Sequence, residues 1–379
     1  MEAMIGQEYE DLRESVRAVA EAKIEPFARD VDSEARYPQE ASDALIANHL
    51  YAAHVPDQYG GEGADALATV IIIEEIARVC GSSSLIPAVN KLGSMPLLLA
   101  GSEEQKSHYL KELAKGAGFS YCLSESEAGS DAAAMKTRAV KSGDNWVLNG
   151  SKKWISNAGE SKFYTVLAST DPTLGAKGIT AFIVEIGDKG LSFGAPEKKM
   201  GFKGSPTREV YFDNVEIPDS RRIGAVGEGF SIAMRTLDHT RITIAAQALG
   251  IAQGAFDIAE KYAHERKQFS HPLFDFQSIQ FMLADMAMQI AAARALTYQG
   301  AIKSERGESD LTFYSAASKC FASDVAMKVT TDAVQILGGY GYVNDYPVER
   351  MMRDAKLTQI YEGTNQIQRL VMARHLKDL

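Results

Sequence analysis

Cysteine is scarce in this chain: Cys80, Cys122 and Cys320 are the only three among 379 residues. Their number is odd and none falls in a CxxC pair, so neither a disulfide framework nor a zinc site is expected. The seven histidines form no HExxH pattern, and no metal is expected from them. Long apolar runs are missing, so no membrane-spanning helix and no membrane partner are expected. The first residues, MEAMIGQEYEDLRESVRAVAEAKI, lack the basic start and apolar centre of a signal peptide and the Arg/Ser bias of a transit peptide. The expectation is a protein of a reducing, cytoplasmic compartment. Positive charge is in deficit, with 40 Lys and Arg against 50 Asp and Glu and a formal net charge of −10. A nucleic-acid partner is therefore not expected. Local phosphate sites stay open, since these need only a few cations and a helix N-terminus.

What is present is an ordinary globular composition, 45% apolar and 24% charged, with enough chain for two or three domains. The texture changes twice. Residues 1–120 read as helical, with apolar periodicity over 12–24, 41–50, 66–79 and 103–115 and breaks at PDQYGGEG and SMP. Residues 121–229 read as strands, in short β-branched and aromatic stretches such as FYTVLAST, ITAFIVEI and TREVYFDNVEIP separated by turn residues. In the last of these the apolar face slips at Asn214, which suggests a bulge. Residues 230–379 are helical again. There Ile279, Met282, Leu283, Met286, Ile290, Ala293 and Leu296 form a stripe that reads as the core of a bundle. Helices, then strands, then helices make an α+β chain whose domain clefts are the default ligand sites.

Several short segments could carry chemistry. In IYEGTNQIQRL, Glu362 precedes a helix capped by Thr364 or Asn365, and Gly363 allows close backbone approach. A carboxylate so placed suits a general base, although such residues commonly just complement the helix dipole. YCLSESEAGSD offers Ser124, Ser126, Ser130 and the flexible Gly129 as donors for a ring edge or phosphate; a Ser-rich turn is the plainer reading. Trp154 beside Ser156 could stack on an aromatic ligand, but a core tryptophan is the commoner case. DHTR suggests a surface ion pair of Asp238 with Arg241. RKQF and Gln277 bracket a helix–helix link that could hold a phosphate. QILGGYGY reads as a helix C-cap at Gly338 and Gly339. With no strand before it, it is not a nicotinamide-binding fingerprint.

In order and spacing, YCLSESEAGSD, WIS, DHTR, RKQF with Gln277, QILGG and IYEGTNQIQ resemble the acyl-CoA dehydrogenase family over essentially the whole chain. The resemblance implies an N-terminal helical domain (1–120), a middle antiparallel β-domain (121–229) and a C-terminal four-helix bundle (230–379). It implies FAD as cofactor, an acyl-CoA substrate, an electron-transfer flavoprotein as partner and a homotetramer built as a dimer of dimers. Glu362 matches the base that takes the α-proton. Tyr121, Cys122, Leu123, Ser124, Ser130, Trp154, Ile155, Ser156, Thr364, Asn365 and Gln366 match FAD contacts. Arg266, Gln277 and Gln335, Ile336, Leu337, Gly338 and Gly339 resemble groups that bind FAD across a dimer interface. Ser130, Asp238, His239, Thr240, Arg241 and Gly363 resemble the acyl-CoA side. Ser126 replaces the usual proline of the flavin loop, which puts its stiffness in doubt, and Ser124 and Ser156 stand where threonine is common.

In some family members the base stands at the helix position matched by Thr240. Threonine cannot serve there, which leaves Glu362 and points toward short- and medium-chain substrates. Leu97, Leu98 and Leu99 are candidates for the floor of a shallow acyl pocket. An acyl-CoA oxidase and a catalytically silent acyl-CoA or flavin scaffold are the competing readings. Retention of Glu362 with Ser124, Ser156 and Arg266 counts against the scaffold.

Overall fold

The computed structural model describes residues 5–378. The N-terminal part comprises α1 (Gln7–Lys23), α2 (Ala28–Ser33), α3 (Gln39–Ala47), α4 (Ala66–Val79) and α5 (Gly81–Ala100). The Asp65 carboxylate caps α4 by accepting the Ala68 N–H at 2.7 Å, satisfying one of the donors a helix start leaves free. α4 and α5 are buried on almost every side, which is why neither carries a clean polar stripe.

Between the helical parts lie β1 (Phe119–Cys122), β2 (Arg138–Ser142), β3 (Asn145–Ser156), β4 (Phe163–Ser169), β5 (Ile179–Glu185), β6 (Leu191–Phe193), β7 (Thr207–Pro218) and β8 (Arg222–Ile223). They form one eight-stranded sheet in the order β6-β7-β3-β2-β4-β5-β8, with β1 beside β4. The sheet is mixed rather than purely antiparallel. β1 enters from the helical part and lies parallel to β4, and β2 touches β4 in parallel at Arg138 and Ser169. β4 is buried on both faces: Phe163 and Leu167 join the core shared with the N-terminal helices, while Tyr164 and Val166 join the sheet's other core. The slip expected at Asn214 is a bulge. Leu148 pairs with Val215 and Gly150 with Phe212, so Asp213 and Asn214 oppose the single residue Asn149, and Asn214 takes a positive φ.

The C-terminal part comprises α6 (Gly229–Glu265), α7 (Gln277–Arg306), α8 (Leu311–Leu337), α9 (Val348–Thr358) and α10 (Asn365–Arg374), with a two-stranded hairpin, β9 (Lys267–Gln268) and β10 (His271–Pro272), between α6 and α7. Contrary to the sequence expectation, α6 is long and apolar enough to cross a membrane by composition, but 78% of its apolar window is buried inside the fold. It is the central helix, packed on α4, α5, α7 and α8. Leu283, Met286, Ile290 and Ala293 of the α7 stripe are buried against the same core. The helix after Glu362 turns polar residues inward. Its inward residues are the polar Asn365 and Gln368, and Leu370 is exposed.

Candidate functional site

Glu362 lies on the turn between α9 and α10, in a left-handed conformation (φ 51°) that a residue with a Cβ rarely adopts. Three side chains hold that turn from behind. Arg241 Nε donates to the Glu362 carbonyl at 3.2 Å. Gln368 Nε2 donates to the carbonyls of Glu362 and Gly363 at 3.1 and 2.9 Å. Lys319 Nζ, fully buried in α8, donates to the Gly363 carbonyl at 2.8 Å. A Cβ on Gly363, itself at φ 92°, would press on Gln368 Nε2, so glycine is required for this close approach. With both carbonyls turned inward, the trans peptide plane turns the Gly363 N–H the other way. Neither the Glu362 N–H nor the Gly363 N–H bonds a backbone carbonyl among the described residues.

The Glu362 carboxylate accepts the Thr240 hydroxyl at 2.8 Å. The two chain positions considered for a base therefore meet in one hydrogen bond. Burial pushes the Glu362 carboxyl up to about 7, against the Thr240 hydroxyl and the charges of Arg241 and Lys319, which favour the ionised form. Burial pushes the Lys319 ammonium the other way, down. The Tyr121 hydroxyl, near enough to feel the Glu362 charge, is buried without a hydrogen-bond partner. Asp238 and Arg241 do pair, at 3.3 Å, but with Arg241 buried and Asp238 half-buried rather than on the open surface. Asp238 also accepts from Thr312 at 2.8 Å.

The serine loop and Trp154 stand at the sheet edge. Tyr121, Cys122 and Leu123 are buried, Ser124 is half-buried and Ser130 is exposed. The loop is anchored by Glu125, whose carboxylate accepts from Lys152 Nζ at 2.8 Å and from the N–H groups of Lys136 and Thr137 at 2.6 and 3.0 Å. Glu125 and Ala128 exchange both backbone hydrogen bonds around Ser126. The loop thus has a tight turn and a buried carboxylate in place of proline stiffness. Trp154 is 58% exposed, so it is not a core residue; Trp146 takes that place. A bulge explains the difference. Lys152 pairs with Val210 and Ile155 with Arg208, leaving Lys153 and Trp154 opposite Glu209 alone. Trp154 takes φ 65°, and its ring is turned outward. Ile155 is buried beneath it, and Ser156 is half-buried.

The remaining candidates divide into two groups. Thr364 caps α10 by accepting the Ile367 N–H at 3.4 Å, and Thr364, Asn365 and Gln366 border a recess of about 450 Å³ shared with Asp324, Gln359 and Arg369. The Asn365 side chain is not free for a ligand, since it bonds Lys319, Ser323 and Asp324. Arg266, Gln277, Gln335, Gly338 and Gly339 are exposed at the far end of α6, α7 and α8, where the Arg266 guanidinium lies 5.6 Å from the Tyr340 ring centre. Ile336 and Leu337 are buried, so only their backbone could reach a ligand. A larger recess, about 570 Å³, is lined by Glu21, Arg78, Asp257, Tyr346 and Arg350 rather than by Glu362. Among the described residues no cluster could hold a metal ion.

Sequence reasoning missed Lys319, Gln368 and Glu125. Each acts through a partner distant in the chain. The one local signal was a lone lysine amid small residues in AASKCFAS.

Leu97 also departs from its expected place. Gly93, one turn earlier, presses on Phe119 of β1 and accepts the Thr165 hydroxyl at 2.7 Å. Leu97 shares that face and points toward the sheet rather than toward α6.

The chain matches family models for the acyl-CoA dehydrogenase N-terminal domain over residues 6–117, the middle domain over 120–215 and the C-terminal domain over 227–377. It is 62% identical over 371 residues to a probable acyl-CoA dehydrogenase fadE25 of Mycobacterium leprae, covering 98% of this chain and 95% of that protein. Among solved structures, butyryl-CoA dehydrogenase from Megasphaera elsdenii superposes with a TM-score of 0.95 at 42% identity, covering 98% of this chain and 99% of that one. A structure described as the electron transferring flavoprotein of Acidaminococcus fermentans gives 0.96 at 44% identity, covering 98% of each chain.

Proposed function

The chain belongs to the acyl-CoA dehydrogenase family and is an FAD-dependent oxidoreductase, and from that premise we propose that Glu362 is the base that removes the α-proton of a short- to medium-chain, straight or branched acyl-CoA. The product is the trans-2-enoyl thioester. The observation that carries this is the Glu362 turn: a desolvated carboxylate with a raised pKa, bonded to Thr240 and held from behind by three donors. Burial makes the carboxylate a stronger base than it would be in water. The N–H groups of Glu362 and Gly363, with no backbone carbonyl to bond, are suited to the thioester carbonyl oxygen as enolate-like charge develops; one such donor is worth roughly 3–4 kcal/mol.

The residues fit FAD. An outward tryptophan at a strand bulge, half-buried Ser124 and Ser156, and Gly129 with open space around it make a flat edge with hydroxyl and backbone donors. When bound, FAD supplies the two-electron acceptor for the hydride that leaves the β-carbon. Tyr121–Ser130 and Trp154–Ser156 would hold its ring, and Thr364 and Gln366 its remaining polar groups. Arg266, Gln277 and Gln335–Gly339 would reach the FAD of a second copy in a homotetramer. Ser130, Asp238–Arg241 and Gly363 would face the thioester. Electron transfer to an electron-transfer flavoprotein and a cytoplasmic setting belong to the same proposal.

The test is Glu362→Gln. The variant should keep its yellow colour and bind acyl-CoA, yet reduce its flavin about 10²–10⁴-fold more slowly, the loss expected of a positioned base. Stopped-flow bleaching at the wild-type rate would remove Glu362 from this role.

A further inference from the structure

Lys91 of α5 is a buried cation that proton abstraction does not use. It is 5% exposed, and its ammonium makes no ion pair or hydrogen bond among the described residues. Its direction follows from the helix. Ser84, two turns earlier on the same stripe, accepts from Gln247 of α6 at 2.9 Å. Asn90 and Gly93 lie on another side of the helix, where Asn90 bonds Phe119 and Tyr51. α5 runs antiparallel to α6: Ser84 meets Gln247 at one end, and Ala100 and Ile232 both border Gly224 at the other. Lys91 therefore lies across from His239–Arg241, the level at which Thr240 holds Glu362. One turn before Thr240, the Thr236 hydroxyl is buried with no partner.

The groups around Lys91 do not neutralise it. Ser94 gives its only hydrogen to the Asn90 carbonyl at 2.7 Å, so His54 Nε2 is the donor in its 2.8 Å contact with Ser94. His239 bonds Ser304 at 2.7 Å. Burial and the nearby Lys91 charge hold His54 down to about 3 and His239 to about 4, so both rings are neutral. The acids that face Lys91 are engaged elsewhere. Glu305 accepts the Ala66 N–H at 2.9 Å, and Asp65 caps α4 and accepts the Tyr9 hydroxyl. A buried, unpaired ammonium is costly and calls for an acceptor.

We propose that Lys91, with Thr236, reads the far end of the acyl group, and that the seam where α5 faces α6 selects thioesters whose chains end in an acceptor oxygen. A carboxylate and a neutral carbonyl or hydroxyl share that chemistry. An alkyl end would leave the ammonium unsolvated, and a site built to hydrogen-bond an oxygen discriminates strongly against the analogue lacking it. The proposal rests on the acyl-CoA reading above.

The experiment compares kcat/KM of the FAD holoenzyme with a dye acceptor on hexanoyl-CoA, 5-oxohexanoyl-CoA and the mono-CoA thioester of adipate. The wild type should favour at least one oxygenated thioester over hexanoyl-CoA, and Lys91→Met should lower that ratio about 10- to 100-fold. Lys91→Gln, which keeps a donor without the charge, should retain preference for the oxo compound if the partner is a neutral oxygen and lose it for the adipyl thioester if the partner is a carboxylate. It also provides the readout should Lys91→Met fail to fold. A wild type that favours hexanoyl-CoA, or a ratio unmoved by both variants, overturns the proposal. Failure of all three thioesters and of butyryl-CoA to bleach the flavin would instead overturn the acyl-CoA reading on which it stands.

Discussion

At the scale of single residues, the chemistry of Glu362 is set by a balance between burial, which favours its neutral acid, and three neighbours that favour the carboxylate: Thr240 by a hydrogen bond, Arg241 and Lys319 by charge. Tyr121 and Tyr361 also face it, and burial keeps both phenols neutral. With Glu362 as the proposed base the active form is the carboxylate, so kcat/KM should rise with pH and level off above an inflection near pH 7. Removing any of the three raises the carboxyl pKa further. Thr240→Val and Lys319→Met should each move the inflection to higher pH, whereas Lys319→Arg, which keeps the cation, should move it less. A pH–rate profile of flavin reduction decides this, since a loss of general stability would lower the plateau without displacing the inflection. Lys319 has a second task, because its donation to the Gly363 carbonyl helps keep Glu362 left-handed; Lys319→Met should therefore also lower the plateau.

At the scale of elements, much was legible and the exceptions share a cause. The α7 stripe and the Asn214 bulge could be read because period and turn chemistry are local. Whether Trp154 is core or outward could not be read from the sequence, because the bulge that turns it outward arises from the register between β3 and β7, which no single strand encodes. The buried network of Arg13, Glu74, Glu75, Arg294 and Tyr298, which ties α1 to α4 and α7, was equally invisible. Its members lie far apart in the chain and look like solvated charges one at a time. Close helix contact has the same character. A Cβ on Gly250 or Gly254 of α6 would overlap the carbonyl oxygens of Glu74 or Arg78 on α4, so these helices touch backbone to backbone. Gly254→Ala should force them apart and cost about 1–3 kcal/mol, although alanine is the better helix former. Thermal unfolding at fixed protein and FAD concentration checks the sign: a raised midpoint would show that α4 yields without loss.

At the scale of the whole molecule, the far end of the C-terminal helices carries apolar surface that a lone chain has no reason to expose. Phe269, on the turn between β9 and β10, is 87% exposed, and Tyr340, Tyr342, Phe281 and Met288 are exposed as well, the last two on one stripe of α7. Arg266 stands among them against Tyr340. Exposed apolar side chains concentrated at one end of a fold suit an interaction surface, and the proposed homotetramer would cover them with a second copy. If Arg266 reaches the pyrophosphate of that copy's FAD, cofactor binding and assembly are one equilibrium: each FAD stabilises the contact, and each contact holds an FAD. Arg266→Ala removes the cation and leaves the apolar surface in place. It should lose flavin on dilution and dissociate at protein concentrations where the wild type stays assembled, and added FAD should partly restore both. Arg266→Lys keeps the charge but not the two-pronged geometry, and should fall between. Flavin absorbance measured across the size-exclusion peak over a dilution series reads both quantities together. An Arg266→Ala variant that stays fully flavinated and elutes unchanged would separate cofactor from assembly and place Arg266 outside the shared site.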